Sequence, residues 1–271
     1  MAERFLYNAH AIGFSGQLTK PANQLIPSQA ASALPPAGGY SSARQDSFRY
    51  LEVLSHGGST SEVKGSLNPK TQENETSATA TIQDLNVGNV VLLDSCTAQL
   101  SSAHPVDGSQ PRITPQGSFF QNLRVAGKTI ELESRVDIYT TLDTLDKLSE
   151  HYKNDKPFRD RFLKEAFVGN EGALHEKQRK YFSWRNIKKT DKLPASTGGI
   201  VIVPLFQVLN PSAPGFQVNG NTITVENFGT IVLGELLISA YERRLTMLHV
   251  DLGSGASACS VGANGGQADP P

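Results

Sequence analysis

Phe216-Gln217-Val218-Asn219-Gly220-Asn221-Thr222-Ile223-Thr224-Val225 alternates apolar and polar residues on both sides of an Asn-Gly pair. That pattern specifies a β-hairpin. A type I′ turn needs positive φ at both central residues, and Asn-Gly supplies it with least strain, so the reading places Asn219-Gly220 at the turn. An echo lies upstream. Leu123-Arg124-Val125-Ala126-Gly127-Lys128-Thr129-Ile130-Glu131-Leu132-Glu133 aligns with Phe216 to Glu226, and five of the eleven positions are identical. Either an internal duplication or convergent turn chemistry produces such a pair.

Working outward, residues 4–18 alternate as a first strand, with Leu6, Asn8, His10, Ile12 and Phe14 on one face. Residues 19–48 hold four prolines and Gly38-Gly39, and read as a long surface loop. Strand-like runs follow at 49–56, 59–67, 76–84 and 88–102, and then a Pro/Gly loop at 103–116. Strands at Thr230 to Ser239 and Leu245 to Leu252 close the regular region. Residues 253–271 are almost all Gly, Ala, Ser, Asn and Pro, and read as a flexible tail.

Residues 141–192 break the β pattern. Leu142, Leu145, Leu148 and Tyr152 recur at helical spacing, as do Phe158, Phe162, Leu163 and Phe167. Asp155-Lys156-Pro157 opens a helix with a carboxylate cap and a proline in the first turn. A third helix is expected from Glu171 to Ile187. The segment carries 13 Lys/Arg and 9 Asp/Glu, a net of +4; the rest of the chain carries 12 and 17, a net of -5. The chain is therefore expected to be mainly β: a single domain over residues 1–271, built as an antiparallel β-sandwich or flattened barrel. One helical insertion occupies about residues 141–192, packed on a face or edge of the sheet.

Composition narrows the function. The 271 residues are 38% hydrophobic and 19% charged, which is a globular balance. A net charge of -1 gives no general attraction to nucleic acid, and no nucleic-acid partner is expected. No run approaches the roughly 18 apolar residues of a membrane span. The opening Met1-Ala2-Glu3-Arg4-Phe5 lacks the layout of a signal peptide, which leaves the compartment open between cytoplasmic and exported without a visible leader.

Several strings imitate catalytic motifs. Leu248 to Ala258 reads as a strand followed by G-x-G-x-x-A, but only 13 residues remain for the helix and strand that a nucleotide loop requires. Ala126-Gly127-Lys128-Thr129 ends like a phosphate loop, yet Asn122 stands where its first glycine belongs. His175-Glu176 has no second histidine at zincin spacing, and Gly13-Phe14-Ser15-Gly16 meets Gln17 in place of the last glycine of a nucleophile elbow. Asn74-Glu75-Thr76 has the form of a glycosylation sequon.

Three candidate constellations remain. His10, on the first strand, and His249 with Asp251, on the last, could share a divalent metal, the one cofactor the sequence suggests. Cys96 and Cys259 could form a disulfide. It would close a loop of about 160 residues, worth on the order of 4–5 kcal/mol in the chain-entropy model. Tyr181, Trp184 and Arg185 mix aromatic and basic character on the expected third helix and form a candidate binding patch.

Asn221 to Glu235, Arg244 to Val250, Ser77 to Val90 with its Asp84-Leu85-Asn86-Val87 core, and Phe119 to Val125 together resemble segments of bacterial surface proteins of the choice-of-anchor type, in the same order. The resemblance implies an antiparallel β-sandwich on a bacterial surface and brings no catalytic residue with it. The helical insertion and the lack of a visible leader depart from it. The leading functional expectation is a non-catalytic binding or structural protein whose partner is a protein, a glycan or another copy of itself. A hydrolase or metal-dependent enzyme, with a pocket between the insertion and the sheet, is the first alternative. A secreted toxin or membrane-active protein is the second.

Overall fold

The fold is a computed structural model describing residues 5–18, 24–169, 193, 200–239, 242–252 and 260–267. The strands in chain order are β1 (Tyr7–Leu18), β2 (Gln24–Ala33), β3 (Gly39–Gln45), β4 (Phe48–Tyr50), β5 (Leu54–His56), β6 (Gly58–Asn68), β7 (Glu73–Val87) and β8 (Val91–Pro105). Five short ones follow: β9 (Arg112–Thr114), β10 (Phe119–Gln121), β11 (Arg124–Val125), β12 (Lys128–Thr129) and β13 (Leu132–Ser134). Helices α1 (Val136–Thr141), α2 (Leu145–Asn154) and α3 (Lys156–Glu165) precede β14 (Phe167–Gly169) and β15 (Ile200–Pro204). The chain closes with β16 (Phe206–Val208), β17 (Phe216–Asn219), β18 (Thr222–Val225), β19 (Gly229–Ile238), β20 (Glu242–Asp251) and β21 (Ser260–Gln267).

Every pairing is antiparallel. The first sheet runs β14-β15-β19-β20-β21-β1-β2, with the β17–β18 hairpin on β19. The second is built on the long β7–β8 pair, flanked by β6 and β3 on one side and by β9, β10 and β11 on the other. Strands β1, β20 and β21 lie over β6, β7 and β8. Among the described residues neither sheet closes on itself, so the sandwich holds and the flattened barrel does not.

One apolar cluster joins both sheets and the helices. Between β19 and β20 it is made of large side chains, among them Ile231, Leu233, Leu236, Leu245 and Met247. Between β1 and the second sheet its middle is made of small ones, Ala9, Ala11, Ala78, Ala80 and Ala98, with Tyr7 and Phe14 toward the ends of β1. Small side chains allow the sheets to approach. At Gly65 an added Cβ would stand 2.5 Å from Leu34 and 2.7 Å from Tyr7, so only glycine fits.

The helical insertion follows its sequence signals through Glu165, after which Phe167, expected at helical spacing, instead begins β14. Asp155 Oδ1 caps α3 by accepting from Phe158 N at 2.8 Å, and Thr144 Oγ1 caps α2 by accepting from Lys147 N at 3.1 Å. Leu148, Tyr152, Phe158 and Phe162 enter the shared core, so these helices supply part of the interior and do not merely cover it. They begin at Val136, before the expected boundary. The expected third helix lies outside the described residues.

Three expectations are corrected. Residues 19–48 are not one loop, since β2 and β3 form there. Their inward positions are small, as at Ala30 and Ser32, so no apolar alternation betrayed them. Nor are residues 253–271 a tail without structure: β21 pairs with β20 on one side and β1 on the other, joining the two parts of the first sheet. Finally, in the β17–β18 hairpin Asn219 pairs with Thr222, so the two-residue loop is Gly220-Asn221, with positive φ at Gly220. That is the type II′ signature. The upstream loop Ala126-Gly127 has positive φ at both residues, as type I′ requires. The two hairpins therefore use different turns despite their similar sequences.

Candidate functional site

Side chains of directly opposed residues in an antiparallel sheet stand on the same face. On the outer face of the second sheet this produces polar rows. Ser66, Glu75, Ala103 and Arg112 form one; Tyr40, Lys64, Ser77, Ser101 and Thr114 form the next. Further along, Thr60, Thr81 and Thr97 align, with Thr81 and Thr97 hydroxyls 3.0 Å apart. The inward positions of the same strands are Ala78, Ala80, Ile82, Ala98 and Leu100, so one β period divides core from polar face.

The first two rows floor a cleft of about 410 Å³. Lys64 and Gly65 border it on the β6 side, and Arg112, Thr114 and Asp143 on the other. Its charged groups are tied to neighbours. Arg112 Nη2 stands 2.8 Å from each oxygen of the buried Glu73 carboxylate. Asn68 Nδ2 donates to Glu75 Oε1 at 2.7 Å. Lys147 Nζ lies 2.8 Å from Asp143 Oδ1. Glu62 accepts from Lys64 at 2.5 Å and from the Tyr40 hydroxyl at 3.1 Å. The Lys64 hydrogen bond holds the Glu62 carboxyl below its usual range, and Glu62 raises the Lys64 amine.

The Arg112 side of the cleft is anchored from the opposite sheet. Arg243 of β20 is buried, and its guanidinium donates to the carbonyls of Ile113 at 2.8 Å, Leu142 at 3.3 Å and Asp143 at 3.1 Å. Burial lowers its pKa to about 10, which leaves it charged at neutral pH. Ile113 N in turn donates to Asp143 O at 2.8 Å. One arginine thus fixes β9 to the junction of α1 and α2. A second, Arg135, is held by Glu165 and Gln207 and ties β13 and α1 to α3 and β16.

The metal constellation does not assemble. His10 lies opposite Asn264 and His249 opposite Ser260, so β21 separates their strands. The four-residue offset between those register points adds about 13 Å along the strand. The expectation failed because it took β20 for the last strand. Among the described residues no cluster of three His, Cys, Asp or Glu is arranged for a metal. Cys96 is fully buried in β8, while Cys259, Tyr181, Trp184 and Arg185 lie outside the described residues. Asn74 of the sequon is buried and accepts the Tyr7 hydroxyl at 2.9 Å, a position closed to a glycosylating enzyme.

Sequence reasoning missed the cleft residues. They come from four strands and a helix junction, and only register unites them. The available signal was the polar parity of Glu75, Ser77, Thr79 and Thr81, matched by Thr97, Gln99 and Ser101.

A family model with the description Domain of unknown function (DUF8256) matches residues 5–239. No curated protein and no solved structure matches the chain.

Proposed function

We propose that this chain, which belongs to the DUF8256 family, is a non-catalytic binding protein that presents the outer face of its second sheet to a polar ligand. The observation that carries the reading is the 410 Å³ cleft, within the size range of small-ligand sites and floored by hydroxyls and carboxylates. Its ionic groups engage one another: Arg112 occupies both oxygens of Glu73, and Lys147 holds Asp143. Among the described residues no histidine or cysteine lines it. Such a site orients a ligand by hydrogen bonds and offers no nucleophile paired with a base. The resemblance to choice-of-anchor proteins supports a bacterial surface as its setting.

A hydrolase is the second reading, favoured by one observation. Glu73 and Glu75 project from the same face of β7, two residues apart, beside the cleft, and a carboxylate pair is the equipment of glycoside hydrolysis. One experiment separates the two. Wild type and Ala103→Trp, whose indole would fill the cleft floor, are compared in a thermal-shift screen of small polar compounds and in turnover assays on generic glycoside, ester and phosphate substrates. The binding reading expects stabilisation of wild type by some compounds, its loss in the variant, and no turnover. Turnover that Glu75→Gln abolishes would replace it with the hydrolase. Stabilisation undiminished in Ala103→Trp would remove the cleft from either reading.

A further inference from the structure

Charge narrows the ligand. The cleft and the partners of its charged groups contain Lys64, Arg112 and Lys147 against Glu62, Glu73, Glu75 and Asp143, a local net of -1. Among the described residues no cation is left in surplus to receive a phosphate, a sulfate or a uronate. Each positive group already faces a carboxylate within 2.8 Å, so an incoming anion would meet a negative neighbour at every cation. An apolar ligand is equally unsuited, because Ser66, Ser77, Ser101 and Thr114 hydroxyls would lose water without gaining partners.

What remains is a neutral ligand dense in groups that both donate and accept. Serine and threonine hydroxyls do both. Glu75 keeps one oxygen beyond its bond to Asn68, and the Arg112 guanidinium, fixed by Glu73, keeps further N–H groups. A planar carboxylate and a planar guanidinium on one row suit adjacent hydroxyls of a sugar ring. The row from Tyr40 through Lys64, Ser77 and Ser101 to Thr114 repeats polar groups at the inter-strand spacing of about 4.8 Å. That spacing is close to the length of one sugar residue in an extended chain.

We propose that the cleft binds a neutral glycan whose chain runs across β6, β7, β8 and β9, with Ser77 and Ser101 beneath it and Glu75 and Arg112 on adjacent hydroxyls. The proposal rests on the binding reading above and adds the ligand's chemical class.

Affinity electrophoresis of the full chain tests it. The probes are gels containing a β-glucan, a mannan, a galactan or a xylan, with polygalacturonate and chitosan as charged counterparts. The expected result is retardation by at least one neutral polymer, a loss of at least tenfold in affinity in Ser77→Ala/Ser101→Ala and in Ala103→Trp, and little dependence on salt. Retardation only by a charged polymer, and lost in Ala103→Trp, would overturn the neutral class and leave the cleft as a binding site. Retardation equal in wild type and both variants, or by no polymer, would overturn the glycan proposal. In that event the compound screen on Ala103→Trp still decides whether the cleft binds anything. Circular dichroism of each variant confirms that a lost shift is not a lost fold.

Discussion

Polar residues do opposite work in the interior of the sandwich and on the outer face of its second sheet. Inside, Arg243 and Arg135 reach across elements: Arg243 donates to three backbone carbonyls, and Arg135 to Glu165 and Gln207. On the outer face, polar side chains pair with residues on other strands of the same sheet, as Thr81 does with Thr97 and Arg112 with Glu73. The cost of losing a polar group depends on what is left buried and unpaired behind it. Interior groups should therefore be expensive to remove and outer ones cheap, which frees the outer face for a ligand.

Removing residues 260–267 should break the interior most completely. It withdraws β21 from between β1 and β20 and leaves two facing edges with unpaired backbone. The expected outcome is loss of a cooperative thermal transition together with self-association, read by circular dichroism and sedimentation; a monomer with an unchanged melt would show that β21 is dispensable. Arg243→Met comes next. It takes the guanidinium from the carbonyls of Ile113 and Leu142, leaves the Asp143 carbonyl with Ile113 N alone, and should lower stability in urea unfolding by about 3 kcal/mol.

Acid should act through the interior as well. Burial lowers the pKa of His56 and of His104, so both bind protons more readily unfolded than folded. Their contribution is fully present above the ordinary histidine value of 6.5 and declines as pH falls below it toward the lowered folded values. Urea midpoints measured from pH 7.5 downward should fall in that window, and less steeply in His56→Gln/His104→Gln. An unchanged slope in the double variant would assign acid sensitivity to carboxylates instead. The smallest effect is expected for Ser77→Ala/Ser101→Ala, which should alter stability by no more than about 0.5 kcal/mol while removing ligand affinity. A loss comparable with that of Arg243→Met would erase the distinction between face and interior.

The same distinction explains what the sequence made legible. Hairpins announced themselves through Gly and Asn at their turns, and α3 through Asp155 and Pro157, because those signals are local. Strands β2 and β21 were invisible. β2 pairs with its chain neighbour β1 but is marked by exposed Leu25 and small Ala30 and Ser32, while β21 pairs with β1 from the far end of the chain, and a glycine-rich run such as Ser260–Gln267 carries no apolar period to find. The cleft was illegible for a related reason: Lys64, Glu75, Ser101, Arg112 and Asp143 meet only through register and the Arg243 anchor. His10 and His249 failed in the converse way. Their types suited a metal, but β21, the unread strand, stands between them.

The most direct test of the cleft as the binding site is backbone-amide shift mapping on the ¹⁵N-labelled, deuterated protein. The probes are short neutral oligosaccharides prepared from the β-glucan, mannan, galactan and xylan. The account predicts shifts concentrated at Lys64, Gly65, Glu75, Ser77, Ser101 and Arg112, with the amides of β19 and β20 unmoved. Shifts centred on another surface, or none with any probe, would contradict it.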